Sequence, residues 1–91
     1  MNAYKQLLSV FARVTDDRTM QHLFKELFTK SEIESFTKRW KVLRDIAGNV
    51  PQRDIAARHG TSLCMVTRGA KILKQRKSIC RKLLQTKGER N

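Results

Sequence analysis

The chain has 91 residues, 20 lysines and arginines against 8 acidic residues, and a formal net charge of +12 at pH 7. This length predicts one small domain, and the two cysteines are too few for a disulfide scaffold. No apolar run approaches the roughly 20 residues of a membrane span and no secretory signal is recognisable, so we expect a cytoplasmic protein with no membrane partner.

The first two helices are predicted from apolar residues that recur at helical spacing. One proline and the lack of alternating β-branched runs favour an all-α fold. Tyr4 to Val14 define the first helix, and Asp16 or Asp17 can cap a second helix that extends to Phe28.

A third helix is predicted from the segment Thr29-Lys30-Ser31-Glu32, which has the spacing of a capping box. Its apolar stripe continues to about Ala47. Gly48 and Asn49 are expected to end this helix, and Pro51 suits the first turn of the next one.

A helix-turn-helix is predicted at about 51–74, and this motif places its second helix in the DNA major groove. Gly60 supplies the positive φ that the tight turn needs. Ile55 and Val66 stand where the two helices must share an apolar contact. The two helices are expected at about 51–58 and 62–74, with Ser62 or Thr61 capping the second.

A final helix is expected from about Ser78, and residues 87–91 are expected to form a frayed tail. We find no internal repeat and no linker, so residues 1–91 are predicted to form a single DNA-binding domain.

The positive charge is concentrated in the half of the chain that carries the motif. Residues 1–45 hold 9 basic and 6 acidic side chains, whereas residues 46–91 hold 11 basic and 2 acidic ones. Such a distribution favours attraction to nucleic-acid phosphates, although a solvated surface or a patch for acidic lipid has the same composition.

The first two helices are more apolar than a surface hairpin needs. Burial is expected for Phe11, Phe24, Phe28 and Trp40, and the helix-turn-helix is too short to cover them. The simplest solution is a homodimer in which these helices pack against their copies. The alternative is a small core within one chain.

The segment Val66-Thr67-Arg68-Gly69, following Gln52-Arg53-Asp54-Ile55, resembles the bacterial tryptophan repressor family. The similarity extends from Thr29 to Lys74. It implies an intertwined homodimer of six-helix subunits, each with a helix-turn-helix as its DNA-reading head. It also implies a sequence-specific transcriptional repressor that binds a double-stranded DNA operator and is activated by L-tryptophan as corepressor.

The resemblance implies a ligand site between the core and the reading head. The indole would lie between Arg39 and Arg68, Gly69 would leave room for the ring, and Thr29 would help to bind the polar end. A guanidinium suits this task, because its plane stacks on an aromatic face while its edge pairs with a carboxylate.

The second helix of the motif carries most of the candidate DNA contacts. Leu63 and Cys64 can touch thymine methyl groups, and Thr67 can hydrogen-bond a base directly or through water. Arg53 can reach a base or a phosphate. Further candidates are Ser62 and Met65 in the groove, and Gln52, Lys41, Lys71 and Lys74 at phosphates. For each residue, a solvated surface position is the alternative.

An enzyme is not expected, because His22 and His59 have no paired carboxylate or nucleophile at a plausible spacing. The two histidines and the two cysteines, Cys64 and Cys80, do not have the spacing of zinc ligands, so no metal is expected. Two other functions remain open. One is a regulator of the same fold that responds to another ligand or to none, and the other is a nonspecific nucleic-acid-binding protein.

Overall fold

The structure is a computed structural model that describes residues 2–86. These residues form six α-helices and no strand, which confirms the all-α prediction. The predicted tail at residues 87–91 lies outside the described residues. The helices are α1 (Ala3–Arg13), α2 (Asp17–Leu27), α3 (Lys30–Ala47), α4 (Gln52–His59), α5 (Leu63–Lys74) and α6 (Ile79–Thr86).

Three of these helices begin at a capping side chain that the sequence predicts. The side chains of Asp16 and Ser62 accept hydrogen bonds from the backbone N–H three residues later, at 2.9 and 3.1 Å. At α3 the backbone N–H of Thr29 donates to Glu32 Oε1 at 2.8 Å, and the N–H of Glu32 donates to Thr29 Oγ1 at 3.1 Å. Both bonds of the predicted capping box are therefore present.

The chain divides into two compact units, and the boundary between Glu34 and Ser35 falls within α3. In the first unit, the rings of Phe11, Phe24 and Phe28 form a cluster with centroid distances between 5.1 and 6.3 Å. No residue of α1 or α2 is buried. The first unit therefore exposes apolar surface that its own helices leave uncovered.

The second unit has a small core in which α3, α4 and α5 meet. Val42 is 2% exposed, and Ile55 and Val66 are both 0% exposed in the same cluster. The predicted apolar contact of Ile55 with Val66 is confirmed, with Val42 of α3 as its third member. Burial of each such side chain contributes about 1.5–3 kcal/mol.

The α4–α5 turn begins at Gly60, whose backbone is left-handed with φ 58° and ψ 42°. A Cβ on this residue would meet no atom within 4 Å, so the positive φ alone explains the glycine. At the other end of α4, Pro51 lies before the first turn and not in it, because the helix begins at Gln52.

Candidate ligand cavity and nucleic-acid interface

A cavity of about 350 Å³ lies in the second unit and is lined by α3, α5 and the residue that caps α5. Small-molecule sites usually have about 300–1,000 Å³, so this volume suits a small ligand. The lining residues are Arg39, Val42 and Leu43 of α3, and Ser62, Cys64, Met65, Arg68, Gly69 and Ile72.

The fold brings Arg39 and Arg68 to this one cavity from helices that are distant in sequence. Arg39 and Arg68 are exposed, whereas Val42 and Gly69 are buried. Within residues 2–86 neither arginine takes part in a recorded salt bridge. Two cationic side chains therefore line this cavity without a carboxylate partner among the described residues.

Sequence reasoning missed Val42 and Leu43 as cavity residues, although part of the signal was present. Arg39, Val42 and Leu43 are spaced at i, i+3 and i+4 and must therefore share one helix face. Which face of α5 opposes them depends on the packing of the two helices.

Gly69 lines the cavity where α5 faces side chains of α3. A Cβ at this position would lie 3.1 Å from Ile46 Cδ1 and 3.3 Å from Leu43 Cδ2. An added Cβ would therefore crowd side chains of α3, and the role of Gly69 in leaving room for a ligand ring stays a prediction. The glycine lets α5 approach α3 closely.

Thr29 belongs to the first unit, and its Oγ1 accepts the capping hydrogen bond of α3. Its predicted contact with a ligand stays a prediction.

The exposed side of α5 carries several of the predicted DNA contacts. Leu63 is 50% exposed, and Cys64 and Thr67 are also exposed. Thr67 Oγ1 donates to Gln52 Oε1 at 3.2 Å, which joins α5 to the first residue of α4. This hydrogen bond uses the amide oxygen of Gln52, and the predicted DNA contact of this residue stays a prediction. A shallow hollow on this side is lined by Leu63, Cys64, Thr67, Arg68 and Lys71.

Met65 differs from the other residues predicted to face DNA. It is half-buried, it lines the cavity, and Thr61 Oγ1 donates to its sulfur at 2.7 Å. Its side chain therefore lines the cavity, and its sulfur accepts a hydrogen bond from the α4–α5 turn. Ser62, in contrast, is exposed, although its Oγ is engaged as the cap of α5.

The remaining predicted DNA contacts lie on three different helices. Lys41 is exposed on α3, Arg53 on α4 and Lys74 on α5. None of the three lines the ligand cavity.

A polar cluster that the sequence analysis did not identify joins α3 to the end of α4. His59 Nε2 donates to Asp45 Oδ2 at 2.7 Å, and Arg58 Nη1 donates to the same oxygen at 3.2 Å. The His59 hydrogen bond is the main cause that lowers the pKa of Asp45. Partial burial opposes it, and the charge of Arg58 adds to it.

Within residues 2–86, no group of three His, Cys, Asp or Glu side chains is placed to hold a metal ion, and both cysteines are free thiols. None of the described helices is both long and apolar enough to cross a membrane.

Comparison with known proteins points to a single family. A family model described as Trp repressor protein matches residues 2–87. Two relatives named Trp operon repressor homolog, from Chlamydia trachomatis serovars D and A, are each 27% identical over 74 residues, which covers 80% of this chain and 79% of theirs. A third, from serovar L2, is 26% identical over the same coverage. No solved structure gives a significant match to the chain.

Proposed function

The chain belongs to the Trp repressor protein family, and we propose that it is a dimeric, DNA-binding transcriptional repressor whose operator affinity depends on a small aromatic ligand. The observation that carries this proposal is the cavity that presents Arg39 and Arg68 beside the apolar side chains of α3 and α5. L-tryptophan, which the family name indicates, is the first candidate for the ligand.

The DNA-binding part of the proposal rests on α4 and α5. Their connection through Gly60 and the buried pair Ile55 and Val66 matches a helix-turn-helix, whose second helix enters the major groove. The side of α5 that carries Leu63 and Thr67 is solvent-exposed and available for contacts with base edges.

The proposed coupling between ligand binding and DNA binding depends on α5, which takes part in both. One side of this helix forms a wall of the cavity, and its exposed side carries the candidate base contacts. A ligand held between Arg39 and Arg68 stabilises those arrangements of α5 that keep the cavity open. In a dimer, one such arrangement can place the two α5 helices at the distance that separates successive major grooves. A ligand that favours this arrangement raises the affinity for the operator.

The dimer is supported by the exposed apolar surface of the chain. Tyr4 of α1 is 69% exposed, and Phe36 and Trp40 of α3 are 40% and 39% exposed. A second copy of the chain would remove such large side chains from water, as obligate homodimers do.

The experiment compares Arg68→Ala with Lys71→Ala, a matched variant that removes the same charge from α5 outside the cavity. We expect Arg68→Ala to weaken L-tryptophan binding by about tenfold to a hundredfold, since it removes a charge-assisted contact. Lys71→Ala is expected to weaken DNA binding and to leave ligand affinity unchanged. Calorimetry and fluorescence anisotropy measure the two affinities, and circular dichroism checks the helices. An unchanged ligand affinity in Arg68→Ala contradicts the site.

A second measurement separates operator recognition from nonspecific binding. DNA affinity is expected to fall steeply with added salt, because lysine and arginine contacts release counterions from phosphate. In the same experiment, a DNA duplex is first selected from a random pool for binding to the protein. We expect the protein to stay bound to this selected duplex when an excess of unselected duplex is added as competitor. Loss of that preference would favour the nonspecific nucleic-acid-binding protein.

A further inference from the structure

We propose that Asp45 of α3 is a positioning residue for base recognition. Through His59 it fixes the α4–α5 turn against α3, and the turn in turn fixes the first residues of α5. Discrimination between operator and unrelated DNA then depends on a carboxylate that lies outside the helix-turn-helix. This inference rests on the proposed DNA-binding function and names a determinant of its specificity.

The contact between Asp45 and His59 is short and largely sheltered from water. His59 Nε2 donates to Asp45 Oδ2 at 2.7 Å, and the two side chains are 14% and 15% exposed. This hydrogen bond is the largest cause that lowers the pKa of Asp45, so the acceptor is an ionised carboxylate at neutral pH. Arg58 Nη1 donates to the same oxygen at 3.2 Å, but its side chain is 54% exposed and water weakens its contribution. His59 therefore provides the main connection.

This contact is the second point at which α3 is attached to α4. The first point is the buried core, where Val42 of α3 and Ile55 of α4 belong to one cluster. Asp45 follows Val42 by three residues and His59 follows Ile55 by four, so the two points lie about one helical turn apart on each helix. One point of contact allows α4 to pivot on α3, whereas two points fix its direction.

His59 is the last residue of α4, and hydrogen bonds connect the residues after it to both helices. The backbone N–H of Thr61 donates to the carbonyl of Ala56 at 3.0 Å, which fixes the turn to α4. Thr61 Oγ1 donates to the sulfur of Met65 at 2.7 Å, and the backbone N–H of Met65 donates to Ser62 Oγ at 3.1 Å. A displacement of His59 is therefore transmitted through the turn to the start of α5.

The start of α5 carries exposed side chains that suit base edges. Leu63 is 50% exposed, and Cys64 beside it is also exposed. In a helix-turn-helix, the N-terminal residues of the second helix contact the bases. Phosphate contacts, in contrast, carry no sequence information directly and are made by long side chains that adapt to small displacements. Loss of the Asp45–His59 hydrogen bond is therefore expected to weaken binding to the operator more than binding to unrelated DNA.

The test measures the affinity of the full-length protein for a duplex selected from a random pool and for unselected duplex, with L-tryptophan in excess. Fluorescence anisotropy gives both affinities, and their ratio is the operator preference. We expect Asp45→Asn to lower this preference by about tenfold, because a weaker neutral hydrogen bond then positions α5 in each subunit. Asp54→Asn is the matched control, since it removes the same charge from an exposed position on α4, and it is expected to leave the preference unchanged.

Two variants of His59 separate positioning from general stability. His59→Gln retains an N–H donor for the carboxylate of Asp45, whereas His59→Leu has an apolar side chain and no donor. We expect His59→Leu to lower the operator preference as much as Asp45→Asn does, and His59→Gln to retain most of it. All affinities are measured at a temperature at which circular dichroism shows that each variant is folded. An equal loss in both His59 variants would overturn the inference.

The remaining outcomes distinguish this inference from the proposed function. If the wild type prefers the selected duplex and Asp45→Asn retains that preference, the inference is wrong while the DNA-binding repressor stands. If the wild type shows no preference for the selected duplex, sequence-specific DNA binding fails and the inference fails with it.

Discussion

Asp45 is the residue through which the end of α4 is fixed to α3. Its Oδ2 accepts from both His59 and Arg58, and its side chain is only 15% exposed. The His59 hydrogen bond and the Arg58 charge favour the carboxylate and lower its pKa below the ordinary value of 3.8, although partial burial acts in the opposite direction. This cluster therefore stabilises the fold through the ionised form of Asp45.

We expect Asp45→Asn to be less stable than the wild type by roughly 1 kcal/mol near neutral pH, since it removes a charge-assisted hydrogen bond. Because the pKa is lowered in the folded state, the Asp45 contribution is complete above pH 3.8 and is lost as pH falls through the folded-state pKa. Urea unfolding at a series of pH values measures the difference.

Asp16→Asn is the control for this experiment. The pKa of Asp16 is also lowered, chiefly by the backbone N–H of Thr19, but asparagine retains the helix cap. A stability difference between Asp45→Asn and the wild type that stays constant with pH would contradict the role of the Asp45 charge.

Gly60 provides a second residue-scale prediction, because its left-handed backbone has open space around it. Gly60→Ala is expected to lower the free energy of unfolding by about 1–2 kcal/mol, the cost of placing a Cβ in this conformation. Gly60→Asn should cost less, since asparagine tolerates the left-handed region. Equal losses in thermal unfolding would show that the cost is not conformational.

At the scale of elements, α6 is attached to the end of α5 by one arginine. Arg81 Nη1 donates to the carbonyl of Leu73 at 3.2 Å, and Nη2 donates to the carbonyl of Arg76 at 2.7 Å. Ser78 caps α6, and its Oγ accepts from the backbone N–H of Arg81 at 3.1 Å. The arginine therefore satisfies carbonyl groups in the last turn of α5 and just beyond it.

We expect Arg81→Met to lower the free energy of unfolding by about 1–3 kcal/mol, because two charge-assisted hydrogen bonds to carbonyl oxygens are lost. Lys82→Met is the matched control, since it removes the same charge from a neighbouring exposed position on α6. Urea unfolding of both variants is the measurement. An equal effect of the two substitutions would assign the loss to net charge and not to the attachment of α6.

At the scale of the whole molecule, exposed apolar residues occur in both units and predict self-association. We expect Trp40→Lys to shift the monomer–dimer equilibrium toward the monomer by at least about tenfold, since a charge would replace an aromatic ring in the proposed dimer interface. Leu63→Lys makes the same kind of change on α5, at a surface that we propose binds DNA, and should leave the dimer intact. Sedimentation equilibrium gives both constants, and a Trp40→Lys protein that stays dimeric would exclude Trp40 from the interface.

Most of the secondary structure could be predicted from the sequence. Caps such as Asp16 and the pair Thr29 and Glu32 act within one helical turn, so their spacing in the chain contains the whole signal. The same applies to Gly60, because a positive φ is a property of one residue. Arg39 and Arg68 were named from the family resemblance, and the structure places both at one cavity.

The sequence by itself determined the six helices, the turn at Gly60 and the basic second half, because each depends on local spacing or on composition. Only the tertiary structure decided that Ile46 and Leu43 lie beside Gly69, that Met65 lines the cavity and that Asp45 pairs with His59. These contacts depend on the rotation of α3, α4 and α5 about their axes. That rotation is set by close packing of side chains distant in the chain, which no local pattern encodes.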